Sequence, residues 1–240
     1  MKNERGPLRF RGAPTRLTAT VRWPAAGMAA NAGQVTLPGP GPVPLSVRRL
    51  RGAAPAISVL SFRLPRFTKP GAYEGSVSLG DIELPIVADV EAQPRLRFLP
   101  HSLTLQARAG AKIPTEVMLI NQGNVDISVE PEYTFCVFDH RGIDLALFCS
   151  LTEEDSAGKR RIDRLMDELA ESHGGLVRVT TGKKVVRIAP QETRELEIGL
   201  HFSRRLRPFH TYFGAWPLAG ASFSVEVEAI GEGQTGGRRR

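Results

Sequence analysis

The sequence lacks the features that mark a membrane-spanning or exported chain. No apolar run approaches the roughly 18 residues that a membrane-spanning helix needs. The basic N-terminus contains no apolar stretch of the kind found in secretory signals. With translation starting at Met1, these absences predict a cytoplasmic protein, which its basic charge would bring to the periphery of a membrane.

Cysteine and histidine are also scarce. Cys136 and Cys149 are the two cysteines, and they flank a predicted hairpin. We expect two buried thiols, since a cross-strand disulfide would need an oxidising compartment. The five histidines are scattered, without a His-x-His pair or the HExxH spacing. The sequence therefore predicts neither a metal nor a cofactor.

The chain has no recognisable catalytic motif. Gly182-Lys183 is not followed by the Ser or Thr of a phosphate-binding loop, and no Gly-x-Ser-x-Gly elbow occurs. Asp139 and His140 lie at a predicted hairpin tip, where neighbouring side chains point apart. Glu226 and Glu228 share the outer face of a predicted strand, where we expect solvated carboxylates. We therefore expect a protein that is not an enzyme.

Acidic residues are nearly absent from the first part of the chain. Residues 1–70 contain twelve Lys or Arg and one acid, Glu4, for a charge of +11; residues 71–240 contain twenty basic and twenty-four acidic residues, for −4 and a total of +7. A one-sided positive field favours anionic partners such as lipid headgroups, an acidic protein face or nucleic acid. Codon bias towards arginine is the alternative explanation, but it does not account for the shortage of acids.

The most informative feature is a pattern that occurs twice. Residues 69–75 and 207–214 each contain a proline turn followed by Tyr-x-Gly, at Tyr73 and Tyr212. An alternating apolar and polar segment follows in each case, which is typical of a half-buried strand. This is how the last two strands of an immunoglobulin-like sandwich often look. The pattern predicts an all-β protein of two tandem immunoglobulin-like β-sandwich domains.

The first predicted domain covers residues 14–92 and follows a flexible basic leader, residues 1–13. Its first strand alternates Leu17, Ala19, Val21 and Trp23 with polar residues, which predicts one buried face. Prolines occupy every second position from 38 to 44. Because no two of them are three residues apart, we interpret this run as a stiff connection between strands and not as a polyproline ligand.

The second predicted domain covers residues 93–230 and follows a short proline-containing linker at 92–94. A helical insertion is predicted at about 153–173, because apolar residues recur at i, i+3, i+4 and i+7: Ile162, Leu165, Met166 and Leu169. We expect this stripe to pack on the sandwich, with docking on a partner as the alternative. Residues 231–240 form a Gly-rich, Arg-ending tail that we expect to be disordered.

Three short motifs resemble a known family. Residues 121–124, Asn-Gln-Gly-Asn, follow an apolar strand as a turn that tolerates positive φ. Residues 189–193, Ala-Pro-Gln-Glu-Thr, precede another strand, and Tyr-x-Gly comes near the end. Together they resemble bacterial immunoglobulin-like domains of the NEW3 and CARDB kind over most of residues 95–230, and more weakly over 14–92. The resemblance implies a non-catalytic spacer, adaptor or binding module and transfers no functional residues.

The leading hypothesis is a structural or adaptor subunit that docks through its basic first domain onto a larger, membrane-associated protein assembly. The candidate contacts are Arg48, Arg49, Arg51, Arg63, Arg66 and Lys69.

Two alternatives remain open. A soluble carbohydrate- or peptide-binding module would use a free sheet edge or a pocket lined by Phe213 or Trp216. A nucleic-acid-binding protein would need exposed aromatic side chains for stacking, and the basic region has few of them: Phe10, Trp23, Phe62 and Phe67.

Overall fold

The computed structural model describes residues 6–22, 32–39, 41–49, 57–139, 147–148 and 161–231. The chain divides into two compact units, the first comprising Met1–Pro94 with Gln122–Asp126 and the second Arg95–Asn121 with Ile127–Arg240. Strands dominate both units, so the protein is all-β, as the sequence predicts. Among the described residues, no helix combines the length and apolar character needed to cross a membrane.

The described residues of unit 1 form seven strands. They are β1 (Leu8–Ala13), β2 (Arg16–Arg22), β3 (Ala32–Leu37), β4 (Gly41–Arg49), β5 (Ile57–Phe62), β6 (Gly71–Leu79) and β7 (Ile82–Val90). Their order is β1-β2-β5-β4-β3-β6-β7, and the ladder closes because β1 also pairs in parallel with β7. Alternation along each strand directs one set of side chains into a common core that includes Phe10, Leu17, Leu60 and Val77.

Two sequence predictions for unit 1 are wrong. Residues 8–13 were expected in a flexible leader, yet they form β1, whose Phe10 is fully buried and packs edge-on against Phe62 at 4.9 Å between ring centroids. The proline run was expected to connect strands, but Pro42 and Pro44 lie within β4, paired with β3. Strand β4 pairs with β5 only from Ser46 onward, so the prolines lie where one edge of the strand has no ladder partner.

Ten strands are formed by the residues of unit 2 that the structure describes. They are β8 (Leu96–Leu99), β9 (Ser102–Ala107), β10 (Lys112–Asn121), β11 (Ile127–Val129), β12 (Glu132–Asp139), β13 (His173–Thr180), β14 (Val186–Ile188), β15 (Thr193–His201), β16 (Thr211–Leu218) and β17 (Ala221–Ala229). Eight form one sheet in the order β8-β10-β15-β13-β12-β16-β17-β9, and β11 pairs with β14. Helix α1 (Arg161–Ser172) precedes β13.

The core of unit 2 is built around a buried tryptophan. Trp216 is fully buried, and its ring lies 5.3 Å from Tyr133, 5.4 Å from Phe98 and 6.5 Å from Phe223. Within the described part of the chain, its indole Nε1 has no hydrogen-bond partner. Inward-facing aliphatic residues of the eight-stranded sheet complete the core.

Helix α1 does not bury its whole apolar stripe. Ile162 and Met166 are 57% and 58% exposed, whereas Leu165 and Leu169 are half-buried. The expectation that the full stripe packs on the sandwich is therefore wrong for Ile162 and Met166, which face away from the core. Residues 153–160 of the predicted insertion lie outside the described part of the chain.

The repeated tyrosine occupies an equivalent position in both units. Tyr73 lies in β6 and donates its hydroxyl hydrogen to the carbonyl of Lys69 at 2.8 Å. Tyr212 lies in β16, and its hydroxyl oxygen accepts a hydrogen bond from the amide of Arg207 at 3.1 Å. Each tyrosine thus fixes the chain four or five residues upstream, at the corner that leads into the next-to-last strand.

The Asn-Gln-Gly-Asn motif acts through side chains and not through positive φ. Neither asparagine nor Gly123 is among the described residues with positive φ. Asn124 is 2% exposed; its Oδ1 accepts from the amide of Gln93, and its Nδ2 donates to the carbonyls of Thr68 and Glu91. Asn121 donates from Nδ2 to the carbonyl of Ile188. Asn124 therefore binds residues 122–126 into unit 1.

Candidate functional site

The outer face of β1, β2, β5 and β4 gathers arginines from separate parts of the sequence. Strand β2 presents Arg16 and Arg22 to solvent, because Leu17 and Ala19 point into the core. Antiparallel pairing places Arg22 beside Ile57 of β5, and Thr20 beside Val59. Arg48 of β4 also lies beside Val59, so it shares the face of Thr20 and Arg22.

Strand β1 extends this surface towards β7. Arg9 and Arg11 are exposed and alternate with buried Phe10, and Arg11 pairs with Thr18 of β2. Hydroxyl groups fill the positions between the arginines: Thr18, Thr20, Ser46 and Ser61. We call this surface, defined by Arg9, Arg11, Arg16, Arg22 and Arg48, the basic face.

Acidic residues of unit 1 lie elsewhere. No Asp or Glu occurs among the described residues of β1, β2, β4 and β5. The described acids belong to β6, β7 and the segments beside them, with one more in the 122–126 segment: Glu74, Asp81, Glu83, Asp89, Glu91 and Asp126. One ion pair crosses the boundary, from Arg11 Nε to Glu91 Oε1 at 2.8 Å. Unit 1 is therefore bipolar, with a basic face on one group of strands and carboxylates on the other.

The candidate residues chosen from the sequence divide into three groups. Arg48 lies on the basic face, and its side chain is exposed. For Arg49 the structure defines the backbone, which pairs with Ser58, and Arg51 lies outside the described residues. The remaining three follow β5, all with exposed side chains: Arg63, Arg66 and Lys69.

The segment after β5 is held in place by hydrogen bonds. The Thr68 hydroxyl donates to the Pro65 carbonyl at 2.7 Å, and the Lys69 carbonyl accepts from Tyr73. Arg66 stacks over the ring of Phe67 at 5.7 Å, and its Nη2 lies 3.4 Å from Oε1 of Gln122. Hydrogen bonds thus fix the backbone of the segment that carries these basic side chains.

Sequence reasoning missed that Arg16 and Arg22 share a face with Arg48. The alternation of β2 was visible, but the pairing of β2 with β5, and of β5 with β4, was not. These pairs join residues up to about forty positions apart, and no local signal specifies them.

The spacing of the basic face suits an extended surface better than a small anion. Arg16 and Arg22 are six residues apart on one strand, which corresponds to about 20 Å. Arg22 and Arg48 are separated by the width of β5, so their strands lie about 10 Å apart. Binding of a single phosphate group uses donors that converge within hydrogen-bond distance. The basic face instead offers dispersed charges to a broad anionic partner.

The cysteines and the β17 glutamates of unit 2 differ in their surroundings from what the sequence predicts. Cys136 is a free, exposed thiol and not the expected buried one, because β12 directs it outward; Cys149 lies outside the described residues. Glu226 and Glu228 are not simply solvated: the hydroxyl of Thr104 donates to Glu226 at 3.2 Å, and the amide of Gln106 donates to Glu228 at 3.0 Å.

Two histidines make specific contacts. His210 Nδ1 lies 2.8 Å from Oδ2 of Asp139. The imidazole of His201 lies 3.3 Å from the hydroxyl of Thr180, and its pKa is lowered by burial and then by the positive charges of Lys112 and Arg178, against an opposing contribution from Glu132. Among the described residues, no three His, Cys, Asp or Glu side chains cluster as metal ligands do.

The comparisons with known proteins return immunoglobulin domains at low similarity. No family model and no curated protein matches the sequence. Solved structures that resemble it include DIP-gamma IG1+IG2 (12% identity, 95% of this chain and 96% of that chain, TM-score 0.32) and the titin fragment I67–I69 (8%, 94% and 62%, 0.33). A Porphyromonas gingivalis W83 protein of unknown function matches at 12% identity over 92% of this chain and 96% of its own, with a TM-score of 0.27. These TM-scores are too low to carry an argument, so the fold assignment rests on the strand order.

Proposed function

We propose that the chain is a non-catalytic adaptor subunit built from two immunoglobulin-like sandwiches, and that its basic face docks onto an acidic surface of a larger, membrane-associated assembly. The observation that carries the proposal is the segregation of charge in unit 1. Arginines from three strands lie on one outer face whose own strands, in the described residues, carry no Asp or Glu. The nearest carboxylates border this face beside β7, where Glu91 pairs with Arg11.

Strand order supports the immunoglobulin-like assignment. In unit 1, β1-β2-β5-β4 and β3-β6-β7 correspond to the ABED and CFG sheets of that fold. Unit 2 repeats the same strand order in an open sheet, with β8 and β9 at its two ends sharing the role of the first strand. The two tyrosines with backbone hydrogen bonds resemble the tyrosine corner of such domains. Domains of this architecture commonly serve in recognition and spacing.

The nucleic-acid alternative is less well supported by the residues of the basic unit. Phe10 and Phe62 of the basic unit are buried in the core, so they cannot stack on nucleic acid bases, and Trp23 lies outside the described residues. The sugar- or peptide-binding alternative expected a pocket lined by Trp216 or Phe213. Trp216 is fully buried, whereas Phe213 is 42% exposed.

A pull-down from native membranes and from cytosol tests the proposal. At low salt we expect a defined membrane-associated complex to co-purify, and at high salt we expect it to be released, because exposed charges interact weakly beyond the Debye length. Recovery that is unchanged at molar salt would contradict docking through the basic face. A chain that stays alone in both fractions would contradict the adaptor role itself.

A further inference from the structure

The outer face of β12, β16 and β17 in unit 2 breaks the alternation expected of a solvated sheet. Outward positions of such a sheet are normally polar. Here Phe138 of β12 lies directly opposite Phe213 of β16, and the two are 41% and 42% exposed. Cys136 pairs with Leu176, which is 54% exposed. Apolar side chains are therefore contiguous on this outward-facing surface, where Phe138 also packs against the ring of His173 at 5.0 Å between centroids.

These side chains form the floor of a groove of about 540 Å³. Phe138, Phe213, Cys136 and Ala215 line it on one side, and Ser224 and Glu226 of β17 line it on the other. The groove crosses four neighbouring strands, β12, β16, β17 and β9, and is thus about 14 Å wide. Its volume matches the range in which proteins bind ligands, and its position across an open sheet suits an extended peptide.

The charge of the groove is one-sided. Glu226 is held by Thr104 and lies beside Phe213 in the strand register; Glu228, held by Gln106, lies two positions further along β17. No Lys or Arg is among the described residues that line the groove. A ligand that places an apolar group against Phe138 and Phe213 would therefore gain further from a positive charge beside Glu226.

We propose that this groove binds a segment of a partner protein in which a hydrophobic side chain lies next to a lysine or arginine. The hydrophobic side chain covers the Phe138–Phe213 pair, and the basic group pairs with the carboxylate of Glu226. The chemistry is opposite to that of the basic face in unit 1. One chain thus carries two docking surfaces of opposite preference, which allows it to bridge two partners.

Selection from a random dodecapeptide library displayed on phage tests the proposal with the full chain. Clones selected on the wild-type protein are counter-selected on Phe213→Ser, which removes the apolar floor but leaves the inward face of β16 unchanged. The clones that bind the wild-type protein but not Phe213→Ser should share a hydrophobic residue next to Lys or Arg. Counter-selection also removes acidic peptides that bind the basic face, because the variant keeps that face. The outcome for the groove is therefore independent of whether the basic face is a docking surface.

The affinity of the leading peptide for each variant, measured by fluorescence anisotropy, then separates the contribution of the apolar floor from that of the Glu226 charge. Phe213→Ser should weaken binding roughly tenfold or more, as expected for a buried aromatic contact. Glu226→Gln keeps the acceptor for Thr104 but removes the charge, and it should weaken binding about two- to fivefold. Met118→Ser is the matched control, because Met118 is 38% exposed on the outer side of β10, away from the groove. It should bind as the wild type does.

Three results would overturn the proposal. One is that no clone distinguishes the wild type from Phe213→Ser. Another is that the distinguishing clones lack the hydrophobic–basic pair. The third is that Glu226→Gln binds the selected peptide as tightly as the wild type, which would remove the charge recognition on which the choice of ligand depends.

Discussion

At the residue scale, Asn124 has a larger structural role than its sequence context indicates. A turn was predicted from the tolerance of Asn and Gly for positive φ. The structure instead uses three hydrogen bonds from one buried amide, to Gln93, Thr68 and Glu91. Which backbone groups a side chain reaches depends on segments about thirty to sixty residues away, so the motif could be located from the sequence but its role could not.

Replacing Asn124 with alanine should destabilise unit 1. The change leaves the part-buried backbone amide of Gln93 and the carbonyls of Thr68 and Glu91 without this partner, and we expect a loss of about 2 kcal/mol in the free energy of unfolding. Gln122→Ala is the control, since its contact with Arg66 is long and exposed, and it should cost less than about 0.5 kcal/mol. Urea unfolding followed by circular dichroism measures both. Equal effects of the two substitutions would contradict this role.

His201 should make stability depend on pH. Its folded-state pKa lies below the ordinary value, so the unfolded chain binds a proton more readily than the folded one. The contribution to stability is complete above about pH 6.5 and is lost as the pH falls below that value. The groups that face the ring are Lys112 of β10, Arg178 and Thr180 of β13, and Glu132 of β12.

The substitution His201→Gln should reduce this dependence. Between about pH 7 and about pH 5, the wild type should lose more unfolding free energy than the variant, as measured by urea unfolding at each pH. The substitution His101→Gln, at an exposed histidine, serves as the control and should leave the wild-type dependence intact. If His201→Gln loses as much stability as the wild type on acidification, the assigned cause is wrong.

At the element scale, strands with regular alternation were predictable and those without it were not. Strand β2 was identified because Leu17, Ala19 and Val21 alternate with polar residues. For β1 the sequence predicts a leader and not a strand, because arginines surround its one large buried side chain, Phe10. The prolines at the start of β4 hide this strand in the sequence, and its pairing with β3 cannot be inferred from the local pattern of residues.

Helix α1 illustrates the limit of periodicity. The i, i+3, i+4, i+7 stripe located the helix but did not reveal how much of the stripe is covered, because the spacing says nothing about the neighbouring surface. Within one helix, Met166→Ser should cost less than about 0.5 kcal/mol in unfolding free energy, and Leu169→Ser about 1 kcal/mol or more. Leu and Met have about the same helix propensity, so both substitutions change that propensity to a similar extent. The difference between the two unfolding free energies, measured in urea, therefore reports the difference in burial. Equal losses would mean that Met166 is packed in solution.

At the scale of the whole molecule, composition predicted the sign of the charge but not its arrangement. The count for residues 1–70 indicated a basic region. Only the strand order shows that Arg16, Arg22 and Arg48 share one outer face, formed by strands that carry no Asp or Glu in the described residues. Likewise, the Phe138–Phe213 pair depends on strands joined across more than seventy residues. Both candidate surfaces are products of strand pairing, which local sequence does not encode.

The most direct test of the adaptor account compares three proteins in the same salt series with native membranes. One is the wild type, the second carries Arg16→Gln, Arg22→Gln and Arg48→Gln, and the third carries three matched exposed substitutions in unit 2, Arg97→Gln, Arg187→Gln and Arg204→Gln. The account predicts that the wild type and the third protein recover the same complex at low salt and release it at high salt, while the second recovers little at any salt. Equal recovery by the second and third proteins would contradict docking through the basic face.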